Sequence, residues 1–136
     1  MAVATQAANS SNKALWAGRI ISGLIVLFML FDATIKLLRL PAAIEGTVRL
    51  GYPAGVVLPI GIVALLCVVL YAIPRTAVLG AILLTGYFGG ATATQVRVQD
   101  IWFVMPVILG ILVWAGLYLR DPGLRELIPL KREARA

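Results

Sequence analysis

The segment PRTAVLGAILLTGYFGGATATQVRVQD, from Pro74 to Asp100, decides the fold. After the turn signal and cation of Pro74-Arg75 it carries no charge for about 20 residues until Arg97, the length a helix needs to cross the hydrocarbon of a bilayer. Small residues recur every fourth position in two adjacent stripes. Ala77, Ala81, Thr85, Gly89 and Ala93 form one, and Gly86, Gly90 and Thr94 lie beside it. Helices striped in this way approach almost to backbone contact, and in lipid such packing replaces the missing hydrophobic drive. The pattern predicts a transmembrane helix over about Thr76 to Val96 at the centre of a bundle, with Gly86, Gly89, Gly90 and Ala93 as its packing residues.

Composition supports a membrane chain. Of 136 residues, 61% are apolar and 13% charged, whereas soluble domains are roughly half apolar and a quarter charged. The formal charge of +6 raises nucleic acid as a partner, but the cations fall between and after apolar runs and form no basic stripe, which excludes it. Cys67 is the single cysteine, so no intramolecular disulfide or Cys-x-x-Cys pair can form. The chain has no histidine, and with it goes the commonest haem and zinc ligand. No metal site is therefore expected, and no redox centre in this chain alone.

Working outward from the segment, Ala54 to Ile73 reads as a preceding span and Ile101 to Leu119 as a following one. The connections, around Pro74 and at Arg97 to Asp100, are so short that successive helices must be antiparallel neighbours. A further span from Ala14 to Leu38 would measure roughly 36 Å, enough to cross with some tilt. No small-x-small cleavage site follows it, so it should stay attached. Between Arg39 and Pro53, a short interfacial helix is expected with Ala42, Ile44, Val48 and Leu50 on its apolar side, ended by Gly51. The chain thus reads as an all-α integral membrane four-helix bundle with short loops. It divides into a disordered leader (1–12), a transmembrane domain (13–120) and a basic cytoplasmic tail (121–136). Four spans put both termini on one side with eight cations (Lys13, Arg19, Arg75, Arg120, Arg125, Lys131, Arg132, Arg135), against four (Lys36, Arg39, Arg49, Arg97) on the other. The positive-inside rule makes the termini cytoplasmic in a bacterial inner membrane. Trp16, Tyr71, Trp114 and Tyr118 on the inner side and Tyr52 and Trp102 on the outer side read as interfacial aromatics.

Asp32 is the one acid within a span, and Lys36 lies one helical turn on along the same face. An ionised carboxylate at membrane depth costs at least ~2.5 kcal/mol and should face the bundle interior. The end of the third span, at the same outer side, presents Thr92, Thr94, Gln95 and Arg97, with Tyr87 near mid-depth. Asp32, Lys36, Tyr87, Thr92, Gln95 and Arg97 are the candidate ligand-binding set. Against it stand structural readings: a self-satisfied Asp32–Lys36 pair, Thr and Gln bonding across helices, a solvated Arg97 and a core Tyr87. No nucleophile with its base, phosphate loop or paired carboxylates occurs, so no catalytic residue is assigned.

Taken together, YAIPRTAVLGAILLTGYFGGATATQVRV, LYLRDPGLRELIPL and LFDATIKLL resemble the DoxX-like family of small four-helix bacterial membrane proteins, over about Arg19 to Leu130. Gln95 stands where the family's pattern usually carries His, so no imidazole role transfers. The family name links to thiosulfate-oxidising and quinone-reducing membrane complexes, which implies a quinone as the one cofactor to consider and redox subunits as partners beside the lipid bilayer. Three functions follow: a non-enzymatic membrane subunit that binds a small molecule, lipid or quinone in an outer polar pocket; a component of a quinone-linked oxidoreductase; or a small transporter acting as a homo-oligomer.

Overall fold

Prolines divide the chain at points where a helix begins. Pro41, Pro74 and Pro122 each occupy a first helical turn, and Pro53 directly precedes one, positions where the missing N–H has no partner to lose. The computed structural model describes residues 2–130, with side chains from Asn12 onward; residues 131–136 of the expected tail lie outside them. The helices are α1 (Ala2–Leu37), α2 (Pro41–Arg49), α3 (Val57–Ala72), α4 (Ala77–Arg97), α5 (Val104–Arg120) and α6 (Pro122–Leu127). Single 3-10 turns lead into α3, α4 and α5.

Four helical stretches are long and apolar enough to cross a membrane: Asn12–Leu37, Ala54–Ala72, Pro74–Arg97 and Ile101–Arg120. Each lies within two residues of the span read from sequence. The leader differs. The backbone of α1 is helical from Ala2, because the alanine-rich stretch before Gly18 contains neither proline nor glycine to interrupt it.

The four long helices form a ring. α1 packs on α3 and α5, α4 packs on the same two, and α1 and α4 face each other across the diagonal. No helix is central, which corrects the expectation for α4. Its buried face consists of Ala77, Gly80, Ala81, Leu84 and Phe88. Gly86, Gly89, Gly90 and Ala93 are exposed, and a Cβ on any of the three glycines would meet no atom of the described residues within 4 Å. The reason is angular. Gly86 lies roughly 200° around the helix from Leu84, and a fourfold repeat drifts about 40° per step, so the stripe that starts in the core at Ala77 and Ala81 has turned away from it by Gly89 and Ala93.

Close contact is made elsewhere: at the end opposite the termini a Cβ on Gly61 of α3 would come 2.8 Å from Lys36 Cβ of α1, and the other contacts lie at the end of the bundle that carries the termini. A Cβ on Gly80 of α4 would come 2.2 Å from the Tyr71 nitrogen of α3. One on Gly18 of α1 would come 2.7 Å from the Gly116 oxygen of α5, and one on Gly116 would come 2.6 Å from Ser22 Oγ. Tyr71 is fully buried. Its hydroxyl donates to the Val113 carbonyl at 2.8 Å and accepts from Ser22 at 3.1 Å, while Arg120 Nη2 caps its carbonyl at 3.2 Å. Tyr71 is thus a core tie between three helices and not the interfacial aromatic read from sequence. Trp16 and Trp102, at opposite ends, are exposed at 60% and 61% as belt residues require.

At the opposite end α2 lies across the bundle. Its buried residues are Ala43 and Thr47, one turn apart, whereas Ala42 and Val48 of the expected apolar side are exposed. The Ala43–Thr47 line faces down because α2 roofs the helix ends instead of floating on lipid. Gly51 follows with φ of 93°, a left-handed conformation that glycine adopts without steric cost.

Candidate functional site

Beneath the α2 roof the helices enclose a cavity of about 470 Å³. Asp32 and Lys36 enter it from α1, Tyr87 and Gln95 from α4, and Thr47 and Tyr52 from the roof and the turn after it. Phe28, Met29, Phe88 and Leu109 supply apolar wall. This is the usual form of a small-molecule site: mostly apolar, with a few convergent polar groups.

Helical periodicity sets the polar geometry. Asp32 and Lys36 lie four apart on α1, so the carboxylate and ammonium meet on one face, and Lys36 Nζ donates to Asp32 Oδ2. Their side chains are 25% and 16% exposed. Lys36 also reaches across the diagonal, donating to Tyr87 Oη at 3.2 Å. This is the polar link between α1 and α4, which do not pack directly. Higher up, Thr94 donates to the Gly90 carbonyl at 2.9 Å, leaving its oxygen to accept from the Tyr52 hydroxyl at 2.8 Å. Gln95 Oε1 is buried without a hydrogen-bond partner among the described residues.

Four of the six candidate residues, Asp32, Lys36, Tyr87 and Gln95, thus line one cavity. Thr92 does not. Its hydroxyl turns back to the Phe88 carbonyl at 2.8 Å, the usual way for a helical threonine to satisfy itself. Arg97 is also outside, where Nη2 donates to the Leu50 carbonyl at 2.8 Å and lies against Gly51. Its role here is to tie the roof to α4. Beside it, Arg49 and Asp100 form a second tie at 3.1 Å. Tyr52, read from sequence as an interfacial aromatic, and Thr47 escaped the candidate set because they stand on the roof and the turn after it, whose orientation no local pattern reveals. Thr94 was visible as a polar group at the end of the third span but stood outside the candidate set.

The cavity can receive polar groups in a dry surround, with donors from Lys36 and Tyr87 and acceptors from Asp32 and Gln95. Among the described residues no three of His, Cys, Asp and Glu are grouped to hold a metal ion. Cys67 is buried in the α3 core and does not line the cavity.

A family model, that of the DoxX-like family, matches residues 20–116, well over half of the chain. The chain belongs to the DoxX-like family. Neither the curated proteins nor the solved structures match it. In this DoxX-like protein the matched stretch contains every cavity-lining residue, from Phe28 on α1 to Leu109 on α5, and stops short of α6. The cavity is therefore built wholly from the part of the chain that the family defines.

Proposed function

We propose that this DoxX-like membrane protein is a non-enzymatic binder of a small amphipathic molecule, acting alone or as a subunit of a larger membrane assembly. The observation that carries this reading is the charged pair Asp32–Lys36 held among apolar walls beside a cavity of about 470 Å³. A pair placed only to anchor a helix end would be stabilised by headgroups at the surface. This one instead turns inward to Tyr87 on the opposite helix. Binding is expected to be saturable when a long-chain quinone, a long-chain alcohol or a lipid is added to protein in nanodiscs. Asp32→Asn should weaken it while leaving expression unchanged. Loss of expression with no binding by the parent protein to any of the three would contradict the reading.

A quinone is the ligand to which the family resemblance points, and the lining suits one. Lys36 Nζ and Tyr87 Oη can donate to ring carbonyls, and Phe28 and Phe88 offer aromatic wall. This keeps membership of a quinone-linked complex as the second reading.

The membrane proposed is the bacterial inner membrane, with both termini in the cytoplasm, so the cavity lies in the outer half of the bilayer. The eight-to-four cation split supports that sidedness. A reporter active only in the cytoplasm should be active when fused to Ala136, and inactivity would reverse the assignment.

A further inference from the structure

From the placement of two glycines we infer that the cavity opens sideways to the bilayer through a window between α3 and α4, where Gly86 and Gly90 seat the chain of a single-chain ligand drawn from the lipid phase. This rests on the proposed binder function and deepens it by fixing the route and the shape of the ligand.

The aqueous end is shut. Thr47 of the roof and Leu50 at its end line the cavity from above. Three ties hold them down: Tyr52 to Thr94 at 2.8 Å, Arg97 to the Leu50 carbonyl at 2.8 Å, and Arg49 to Asp100 at 3.1 Å. A ligand arriving from water at that end would have to break them.

The side is open. Gly86, Gly90 and Thr94 recur every fourth residue along α4, and all three line the cavity. At Thr94 this row is on the α3 side, roughly 40° around the helix from Gly80, which touches Tyr71 of α3, and roughly 180° from Thr85, which accepts from Trp114 of α5. The row drifts about 40° per step, so two steps down, at Gly86, it has reached the outer face. Gly86 and Gly90 are therefore cavity wall and exterior at once. Both are exposed, and a Cβ on either would meet no atom of the described residues within 4 Å. Phe28 and Met105 are also exposed lining residues, but each sets a large side chain at the edge of the cavity, where the glycines set none.

Depth decides what meets the window. Gly86 and Gly90 lie roughly 17 and 11 Å of helical rise from Arg97, within a hydrocarbon layer of about 30 Å, so the surround is lipid chains. The polar groups stand at the same depth. Tyr87 follows Gly86 directly, and its hydroxyl accepts from Lys36 at 3.2 Å. A ligand whose head bonds to Lys36 and Tyr87 has its chain at the window. Gly86 to Gly90 measures roughly 6 Å along the helix, the scale of one alkyl chain and not of two side by side.

Gly89 supplies the control, since it is exposed and unobstructed like its neighbours but is no part of the cavity wall. Binding of 1-dodecanol and decylubiquinone to protein in nanodiscs is read as the shift in melting temperature against mole fraction of probe in the lipid. Gly86→Phe and Gly90→Phe are expected to weaken both probes by roughly ten-fold or more, and Gly89→Phe to leave them within about two-fold. The two-chain probe 1,2-dioctanoylglycerol should bind the parent roughly ten-fold more weakly than either. Without probe, all three variants should melt within about 3 °C of the parent. If Gly86→Phe and Gly90→Phe bind as the parent does, if Gly89→Phe weakens binding equally, or if the two-chain probe binds more tightly, the window and its single chain are wrong while the binder function stands. A large drop in the probe-free melting temperature of Gly86→Phe or Gly90→Phe would also overturn the window, because an open position has nothing to clash with. If no probe shifts the parent, both fall together.

Discussion

The two ends of the bundle use the same residue types to opposite effect. At the end that carries the termini, Gly18, Gly80 and Gly116 are contact points at which an added methyl group would collide with a neighbouring helix. The polar groups there, Ser22, Tyr71 and the Val113 carbonyl, satisfy one another, and Arg120 Nε beside them is buried without a partner among the described residues. At the roofed end, Gly86, Gly89 and Gly90 have open space where a side chain would go, and the polar groups surround a cavity with Gln95 Oε1 left unpaired. The difference teaches that a glycine in a membrane helix is not a packing residue by virtue of its spacing. It packs only where a neighbouring helix is within reach, as Gly61 does against Lys36 even at the roofed end, and elsewhere the same residue leaves room.

Substitutions at these glycines can break that comparison. Gly80→Ala carries the largest expected effect, because the new Cβ would lie 2.2 Å from the backbone nitrogen of Tyr71, an atom that cannot swing aside. A loss of about 3 kcal/mol is expected, the upper part of the usual range for overpacking, visible as a lower unfolding temperature in detergent. Tyr71→Phe should cost less, about 1 kcal/mol, the scale of an interhelical hydrogen bond in a membrane, since packing of the ring is kept. Gly90→Ala should have the smallest effect and the opposite sign, a gain of about 0.5 kcal/mol, through the better helix propensity of alanine where nothing obstructs it. If Gly90→Ala destabilised as much as Gly80→Ala, the division between a packed and an open end would fail.

Much of this was legible in the sequence. Uninterrupted apolar runs ended by prolines and cations placed four spans to within two residues, and the tight turns at Pro74 and Gln99 made α3, α4 and α5 successive neighbours. The i, i+4 spacing of Asp32 and Lys36 put them on one face, and two chain reversals run α1 and α4 in the same direction, so that face and the end of α4 share one end of the bundle. What could not be read was which side of each helix meets a neighbour. The stripe of Gly86, Gly89, Gly90 and Ala93 was as regular as a packing stripe, but its angular offset from Leu84 turns most of it away from the core. Gly18 and Gly116, 98 residues apart, carry no local pattern at all, and their pairing follows from the ring closing α1 onto α5. Thr92 illustrates the same limit on a smaller scale, since a threonine that bonds its own helix and one that faces a ligand look alike in sequence. The roof was legible as a short helix ended by Gly51, but its placement over the bundle was not. Its turn at Gly51 aims Tyr52 at Thr94, and that turn depends on Arg97 reaching back to the Leu50 carbonyl.

Cysteine labelling on one helix tests the central contrast most directly. In a Cys67→Ser background, Ala81→Cys places a thiol where the wild-type residue is fully buried, and Ala91→Cys places one in the cavity wall. With methyl methanethiosulfonate, small enough to cross the bilayer, Ala91→Cys should react rapidly and be protected by saturating 1-dodecanol, while Ala81→Cys should stay unlabelled until the protein unfolds. Equal rates at the two positions, in protein that remains folded, would contradict the account.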